Sequence, residues 1–224
     1  MKTWAQTFTE DCLDTVLFAK NRSGVAPVTA HLVPGHSALV LVVGENASGK
    51  SILRRIVSQS CKNKKIECLR ISMEGRQNTY AGLGLSFIYG NEEYISTGHN
   101  SACTVVNGIY NCKKRERAHV MFWDEPDLGL SENGAAGVGV AIAAFVKDKP
   151  KLTRAIFVCT HSRALVRQLE GCKPHFLYFG DAPKTLQEWL NEPIVPRDLR
   201  ELINAGDARR TMVQKTLDKI KVKK

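Results

Sequence analysis

Apolar positions along the chain alternate between short runs of strand length and longer segments with helical spacing. Six strands are predicted from runs bounded by glycine, proline or polar residues, at 28–33, 38–43, 66–72, 120–123, 155–159 and 175–179. Helical spacing lies between or after several of them, at 50–60, 105–117, 132–147 and 162–170. This order predicts an α/β fold with a mainly parallel sheet that helices cover on both faces.

Two parts of the chain depart from this alternation. Residues 73–104 are rich in Gly, Asn and Ser, and they favour a small helical insertion at about 78–117 within a core domain spanning 1–180. Residues 181–224 are predicted to form a helical extension with breaks at Pro193 and Pro196 and a basic end. We find neither an internal repeat nor a low-complexity segment.

Composition narrows the class of protein. The 224 residues are 43% hydrophobic and 24% charged, which is typical of one folded domain. Seven scattered cysteines without a Cys-x-x-Cys pair favour free thiols over zinc or redox chemistry. Apolar runs of membrane-spanning length and a secretory pattern are both missing from the sequence, so we expect a cytoplasmic protein without membrane insertion. The net charge of +10 permits a nucleic-acid partner.

The segment directly after the second apolar run matches the phosphate-loop pattern G-x-x-x-x-G-K-[ST]. Its residues are Gly44, Glu45, Asn46, Ala47, Ser48, Gly49, Lys50 and Ser51. Glycines let successive backbone N–H groups turn toward phosphate oxygens, and the N-terminus of the following helix favours an anion. Lys50 is then expected to reach the β and γ phosphates, and Ser51 to bind Mg²⁺. The cofactors predicted are therefore ATP and Mg²⁺.

A second motif is the apolar run 120–123, which delivers two acids at its end. Asp124 and Glu125 stand where ligands bind in open α/β sheets, at the carboxyl ends of strands. After a phosphate loop, one such carboxylate suits Mg²⁺ and its neighbour suits a water molecule as general base. We therefore predict Asp124 as a metal ligand and Glu125 as the catalytic base.

With these motifs in order, the sequence resembles the ABC-type ATPases, from about residue 38 to 161. Asp124 to Ser131 resembles the family's magnesium-binding acid, catalytic glutamate and D-loop, and His161 resembles its switch histidine. The segment 95–101 stands in the place of the family's signature, with Ser96 and Gly98 matching and Thr97 replacing a glycine. Gln77 resembles the Q-loop glutamine that senses Mg²⁺ and the attacking water, which implies that it is a metal ligand and a catalytic residue, as the switch position implies a catalytic role for His161. The family's adenine-stacking aromatic is not evident, and Phe18, Arg22 and His36 stay open as substitutes.

This resemblance implies a P-loop NTPase of the ABC type that hydrolyses ATP. It also implies a head-to-tail homodimer, in which two ATP molecules lie between one subunit's phosphate loop and the other's signature segment. The favoured interpretation is a dimerisation switch in nucleic-acid or phage-related processes, with an unidentified protein partner also open. The alternatives are the nucleotide-binding subunit of a membrane transporter, for which the stretch between Gln77 and Ser96 is short, and a P-loop kinase.

Overall fold

The helices and strands follow the predicted alternation through most of the chain. The structure is a computed structural model that describes residues 2–18, 27–33, 37–72 and 96–221. Its strands are β1 (Val28–His31), β2 (Leu39–Gly44), β3 (Glu67–Ser72), β4 (His119–Asp124), β5 (Thr153–Cys159) and β6 (His175–Phe179). Its helices are α1 (Trp4–Leu13), α2 (Lys50–Asn63), α3 (Thr97–Lys113), α4 (Glu132–Lys147), α5 (Arg163–Leu169), α6 (Leu186–Asn191) and α7 (Leu199–Lys221).

The strands form one sheet in the order β1-β6-β2-β5-β4-β3. Only the β1–β6 pair is antiparallel among the described strands, and the other four pairs are parallel. The predicted α/β class with a mainly parallel sheet is therefore confirmed. Because β5 lies between β2 and β4, the segments that follow these three strands leave the same edge of the sheet.

Both faces of the sheet are covered by helices, as the apolar pattern predicts. Every residue of β2 is buried, and alternate side chains enter two separate cores. One core joins the sheet to helices α3 to α6, and the other joins it to α1 and α2. Phe122 and Phe157 stack with ring centroids 5.6 Å apart in the second core, where neither is exposed. These cores fix the strand ends that carry the predicted site residues.

Two helices differ from the sequence prediction. The helix α3 begins at Thr97 rather than at residue 105, because the Ser96 side chain accepts the backbone N–H of His99 and caps it. The helix α1 is not predicted from the sequence, although Thr3 and Gln6 form a capping box at its start. Residues 78–95 of the predicted insertion lie outside the described residues.

The C-terminal part contains two helices, α6 and α7, on either side of a non-helical segment that includes Pro193 and Pro196. The helix α7 is largely exposed, and a stripe of partly buried residues runs along one side of it: Leu202, Gly206, Arg209, Val213 and Thr216. Within the ranges that the structure describes, no helix is both long enough and apolar enough to cross a membrane.

Candidate phosphate-binding site

The loop between β2 and α2 has the backbone of a cradle. Gly44, Ala47 and Gly49 have φ angles of 143°, 58° and 110°, a range that L side chains rarely adopt. A Cβ atom on Gly44 would lie 2.2 Å from the carbonyl oxygen of Phe179 on β6, so only glycine fits this close approach. The helix α2 starts at Lys50, and its N-terminus therefore points its unpaired N–H groups toward the loop.

Lys50 places its ammonium group inside this cradle. Its Nζ donates to the carbonyl oxygens of Gly44 at 3.2 Å and Glu45 at 2.6 Å, and the residue is only 7% exposed. Burial lowers the pKa of Lys50, while the negative charges of Glu125 and Asp124 act in the opposite direction. The predicted lysine and the two predicted acids are therefore electrostatic neighbours.

Asp124 ends β4 among cationic side chains. Its Oδ2 atom lies 3.5 Å from Arg54 Nε and 3.7 Å from Arg70 Nη2. The buried thiol of Cys159, at the end of the neighbouring strand β5, hydrogen-bonds to the same carboxylate, and burial raises the pKa of that thiol strongly. The carboxylate is thus held from three sides by groups on α2, β3 and β5.

Glu125 adopts a strained backbone directly after β4. Its φ angle is 52°, and its N–H donates to the carbonyl oxygen of Cys159 at 2.8 Å. Non-glycine residues in this region cost of order 1–3 kcal/mol and cluster at functional sites. The side chain stays partly exposed at the carboxyl edge of the sheet.

His161 lies beside this glutamate, with its Nε2 atom 3.7 Å from Glu125 Oε1. Burial, with a smaller contribution from the charge of Lys50, lowers the pKa of His161 to about 4, so the imidazole is neutral near pH 7. Its backbone is fixed on either side. Thr160 Oγ1 donates to Asp127 Oδ1 at 2.7 Å and accepts the N–H of Ser162 at 2.9 Å.

Ser96 and Gly98 occupy a different position, at the start of α3 and against the loop that follows β4. A Cβ atom on Gly98 would lie 2.8 Å from the carbonyl oxygen of Gly129. Ser101 Oγ also donates to the carbonyl oxygen of Leu128 at 2.5 Å. Within one chain, the predicted signature residues therefore pack on the predicted D-loop, and Ser96 itself is exposed.

The oxygen donors at this edge suit a hard cation. The hydroxyl of Ser51 and the carboxylate of Asp124 are the kind of ligands that Mg²⁺ takes together with substrate phosphates and water. Across the described part of the chain, no group of three or more His, Cys, Asp or Glu side chains is arranged to hold a metal by itself. Gln77, the third predicted metal ligand, lies outside the described residues.

The sequence offers three alternatives for the adenine contact, Phe18, Arg22 and His36, without a choice among them. Phe18 is buried and meets Phe179 edge-on, with ring centroids 5.6 Å apart, so its ring belongs to the core. Arg22 and His36 lie outside the described residues.

Several site residues were missed by sequence reasoning: Arg54, Arg70, Cys159, Arg197 and Arg209. Arg54 lies one helical turn after Lys50 in a predicted helix, so helical spacing gave a signal for it. Cys159 is aligned with Asp124 by the register of β4 and β5, for which the sequence carries no signal. Arg197 and Arg209 come from the C-terminal segment and meet Glu45 and Ser48 of the phosphate loop.

The described residues of the predicted site thus form one group around Lys50 and a second around Gly129. The first group can hold a polyphosphate by its charge, its loop N–H groups and a helix N-terminus, next to a carboxylate and a neutral imidazole. Comparisons of the sequence with protein-family models and with curated proteins found no match.

Proposed function

We propose that the protein is a Mg²⁺-dependent ATPase of the ABC type that works as a dimerisation switch. The observation that carries this proposal is that four predicted site residues lie together at one edge of the sheet. Lys50, in a phosphate-loop sequence, lies within electrostatic reach of Asp124 and Glu125, and His161 lies 3.7 Å from Glu125. Phosphoryl transfer to water requires positive charge on the phosphates and an oriented water molecule, which the lysine and the acid pair can supply, and His161 adds a hydrogen-bond donor beside them.

In this proposal each residue has a defined task. Lys50 and the N–H groups of the loop hold the β and γ phosphates, and Ser51 and Asp124 hold Mg²⁺, which supplies charge neutralisation when bound. Glu125 orients a water molecule and takes its proton as the water oxygen bonds to the γ-phosphorus and the bond to the β-phosphate oxygen breaks. Neutral His161 donates a hydrogen bond to the γ-phosphate.

The dimer part of the proposal draws on the start of α3. Ser96 and Thr97 are exposed at a helix N-terminus, and their neighbours Gly98 and Ser101 are braced against the D-loop of the same chain. An exposed and braced helix N-terminus suits an anion that another molecule presents. We propose that this anion is the γ-phosphate of ATP bound to a second copy of the chain.

The test is the Glu125→Gln variant, since an isosteric amide removes the base and leaves Lys50 and Asp124 in place. We expect Glu125→Gln to bind ATP with Mg²⁺ and to accumulate a dimer, while the unmodified protein turns ATP over and stays mainly monomeric. Phosphate release measures turnover, calorimetry measures ATP binding, and light scattering measures the fraction of dimer. Glu116→Gln is the matched control, because Glu116 is exposed in the turn after α3.

A second variant tests the bridge between the subunits. Ser96→Arg adds bulk and a misplaced charge at the start of α3, so it should return Glu125→Gln to the monomer without loss of ATP binding. Hydrolysis by Glu125→Gln at the parent rate would contradict the catalytic assignment. A variant that binds ATP yet stays monomeric at high concentration would contradict the dimer.

A further inference from the structure

The C-terminal helix α7 contacts the phosphate loop. Arg209 Nη1 donates to the carbonyl oxygen of Ser48 at 3.2 Å. One turn earlier, a Cβ atom on Gly206 would lie 3.5 Å from the Cβ atom of Ala47. Arg197, just before the helix, donates to the carboxylate of Glu45 through both terminal nitrogens. The loop is therefore contacted along its length by one distant segment.

The loop residue that lies against Gly206 has a strained backbone. Ala47 has a φ angle of 58°, a left-handed conformation that an L side chain adopts at an energetic cost. Such conformations persist when the surrounding structure holds them in place. Gly206 lies against this residue, and Arg209 is bonded to the carbonyl of the next residue, Ser48.

The contact made by Arg209 also acts on the electrostatics of the cradle. The carbonyl of Ser48 and the N–H of Gly49 belong to the same peptide group. A guanidinium that donates to the carbonyl polarises this group and makes the N–H a stronger donor, as in a cooperative hydrogen-bond chain. The Ser48 residue is only 4% exposed, so the added charge is poorly screened by solvent there.

The two arginines differ in what they can contribute. The side chains of Arg197 and Glu45 are 60% and 39% exposed, and an ion pair at that exposure contributes little. Arg209 is partly buried and makes a charge-assisted bond to a buried carbonyl. The stronger effect on the loop therefore belongs to Arg209.

We infer that Arg209 is a positioning residue of the phosphate loop, which acts through the Ser48–Gly49 peptide to strengthen the binding of polyphosphates. The ligand class rests on the proposed function, whereas the restraint on the loop does not depend on it. Arg209 acts before chemistry, so it raises affinity for the triphosphate and leaves the turnover of bound ATP unchanged.

The test compares Arg209→Gln with Arg210→Gln in the full chain. Both variants remove one positive charge from adjacent positions of α7, but Arg210 is exposed, whereas Arg209 is partly buried and bonded to the loop. We expect Arg209→Gln to bind ATP and inorganic tripolyphosphate about tenfold more weakly, a difference of about 1.4 kcal/mol. The value of kcat should not change while KM rises, and Arg209→Lys should recover part of the affinity. Arg210→Gln should behave as the parent.

Equal affinity in Arg209→Gln and the parent, or equal losses in both variants, would overturn the inference. Hydrogen exchange of the ligand-free protein provides a second readout, because the N–H groups of Glu45 and Ser48 are hydrogen-bonded to Phe179 and Glu45. These two amides should exchange faster in Arg209→Gln than in Arg210→Gln, and equal exchange would also overturn it. If the parent binds neither ATP nor tripolyphosphate, the proposed function fails, and the exchange rates still decide whether Arg209 restrains the loop.

Discussion

The sheet edge and the helix α7 meet at the phosphate loop, but different forces hold them in place. Every residue of β2 is buried, and the side chains of β4 and β5 fill both cores, which fixes Gly44 and Asp124 by apolar burial. In α7, Leu199 and Ile203 are 72% and 62% exposed, and the helix reaches the loop through Arg209 and Gly206. The positions of the site's acids and lysine thus depend on packing, whereas the contact of α7 with the loop depends on a few individual residues.

The largest effect that this comparison predicts is on folding stability. Phe157→Ala removes a fully buried ring that stacks on Phe122, and we expect it to lower the free energy of unfolding by about 3–5 kcal/mol. Met212→Ala, at an exposed position of α7, should change it by less than about 0.5 kcal/mol. Urea denaturation of both variants measures the difference. Similar losses in the two would mean that α7 is part of the cooperative core.

The next prediction concerns the charge that the scaffold places in the loop. Lys50→Ala removes the buried ammonium, so we expect affinity for ATP with Mg²⁺ to fall by about a hundredfold or more, well beyond the change at Arg209. Calorimetry measures this loss. Lys62→Ala, near the end of the same helix, is the control and should bind as the parent does. Equal affinity in Lys50→Ala and the parent would remove the phosphate-loop interpretation.

The sequence predicts the residues that the sheet positions better than the residues that α7 adds to the site. Apolar runs mark β2, β4, β5 and β6 within two residues of their observed ends, and α4 has the predicted bounds. Burial on both faces leaves a continuous apolar run that can be recognised locally. The acids at the end of β4 and the lysine at the start of α2 follow from those runs, because their positions are fixed by the element that they end or begin.

The features that the sequence does not predict depend on contacts between residues far apart in the chain. The order of strands that places β5 between β2 and β4 leaves no local pattern, and neither does the contact of Arg209 with Ser48. The start of α3 was predicted too late because glycine and polar residues, which favour turns, occupy its first two turns. The close approach of Gly98 to Gly129 explains the glycine at this position.

A smaller effect should appear when the pH is lowered. Since the pKa of folded His161 is about 4 against an ordinary 6.5, the unfolded chain takes up a proton in this interval that the folded chain does not. The contribution of His161 to stability is therefore complete above pH 6.5 and is lost as the pH falls toward 4. His161→Gln should lose less stability across this interval than the parent, as measured by urea midpoints. Parallel pH profiles would show that His161 is not held neutral beside Lys50.

The smallest expected effect concerns the end of α7 and nucleic acid. Residues 211–224 carry five lysines and one acid, Asp218, and the segment begins after Arg209, so its removal leaves Arg209 in the chain. If these lysines meet phosphates of a nucleic acid, the deletion should weaken binding of DNA or RNA at low salt by several-fold to about tenfold. It should also make the dependence of affinity on salt shallower, because fewer counterions are released. Filter binding over a series of salt concentrations measures both properties.

Because the deletion also removes Val213 and Leu217 from the cleft between α1, α2 and α7, a full-length variant with Lys215→Gln and Lys219→Gln separates the effect of charge from that of packing. If the deletion leaves the binding of both DNA and RNA unchanged at low salt, the tail only aids solubility, and the role of α7 is confined to the phosphate loop.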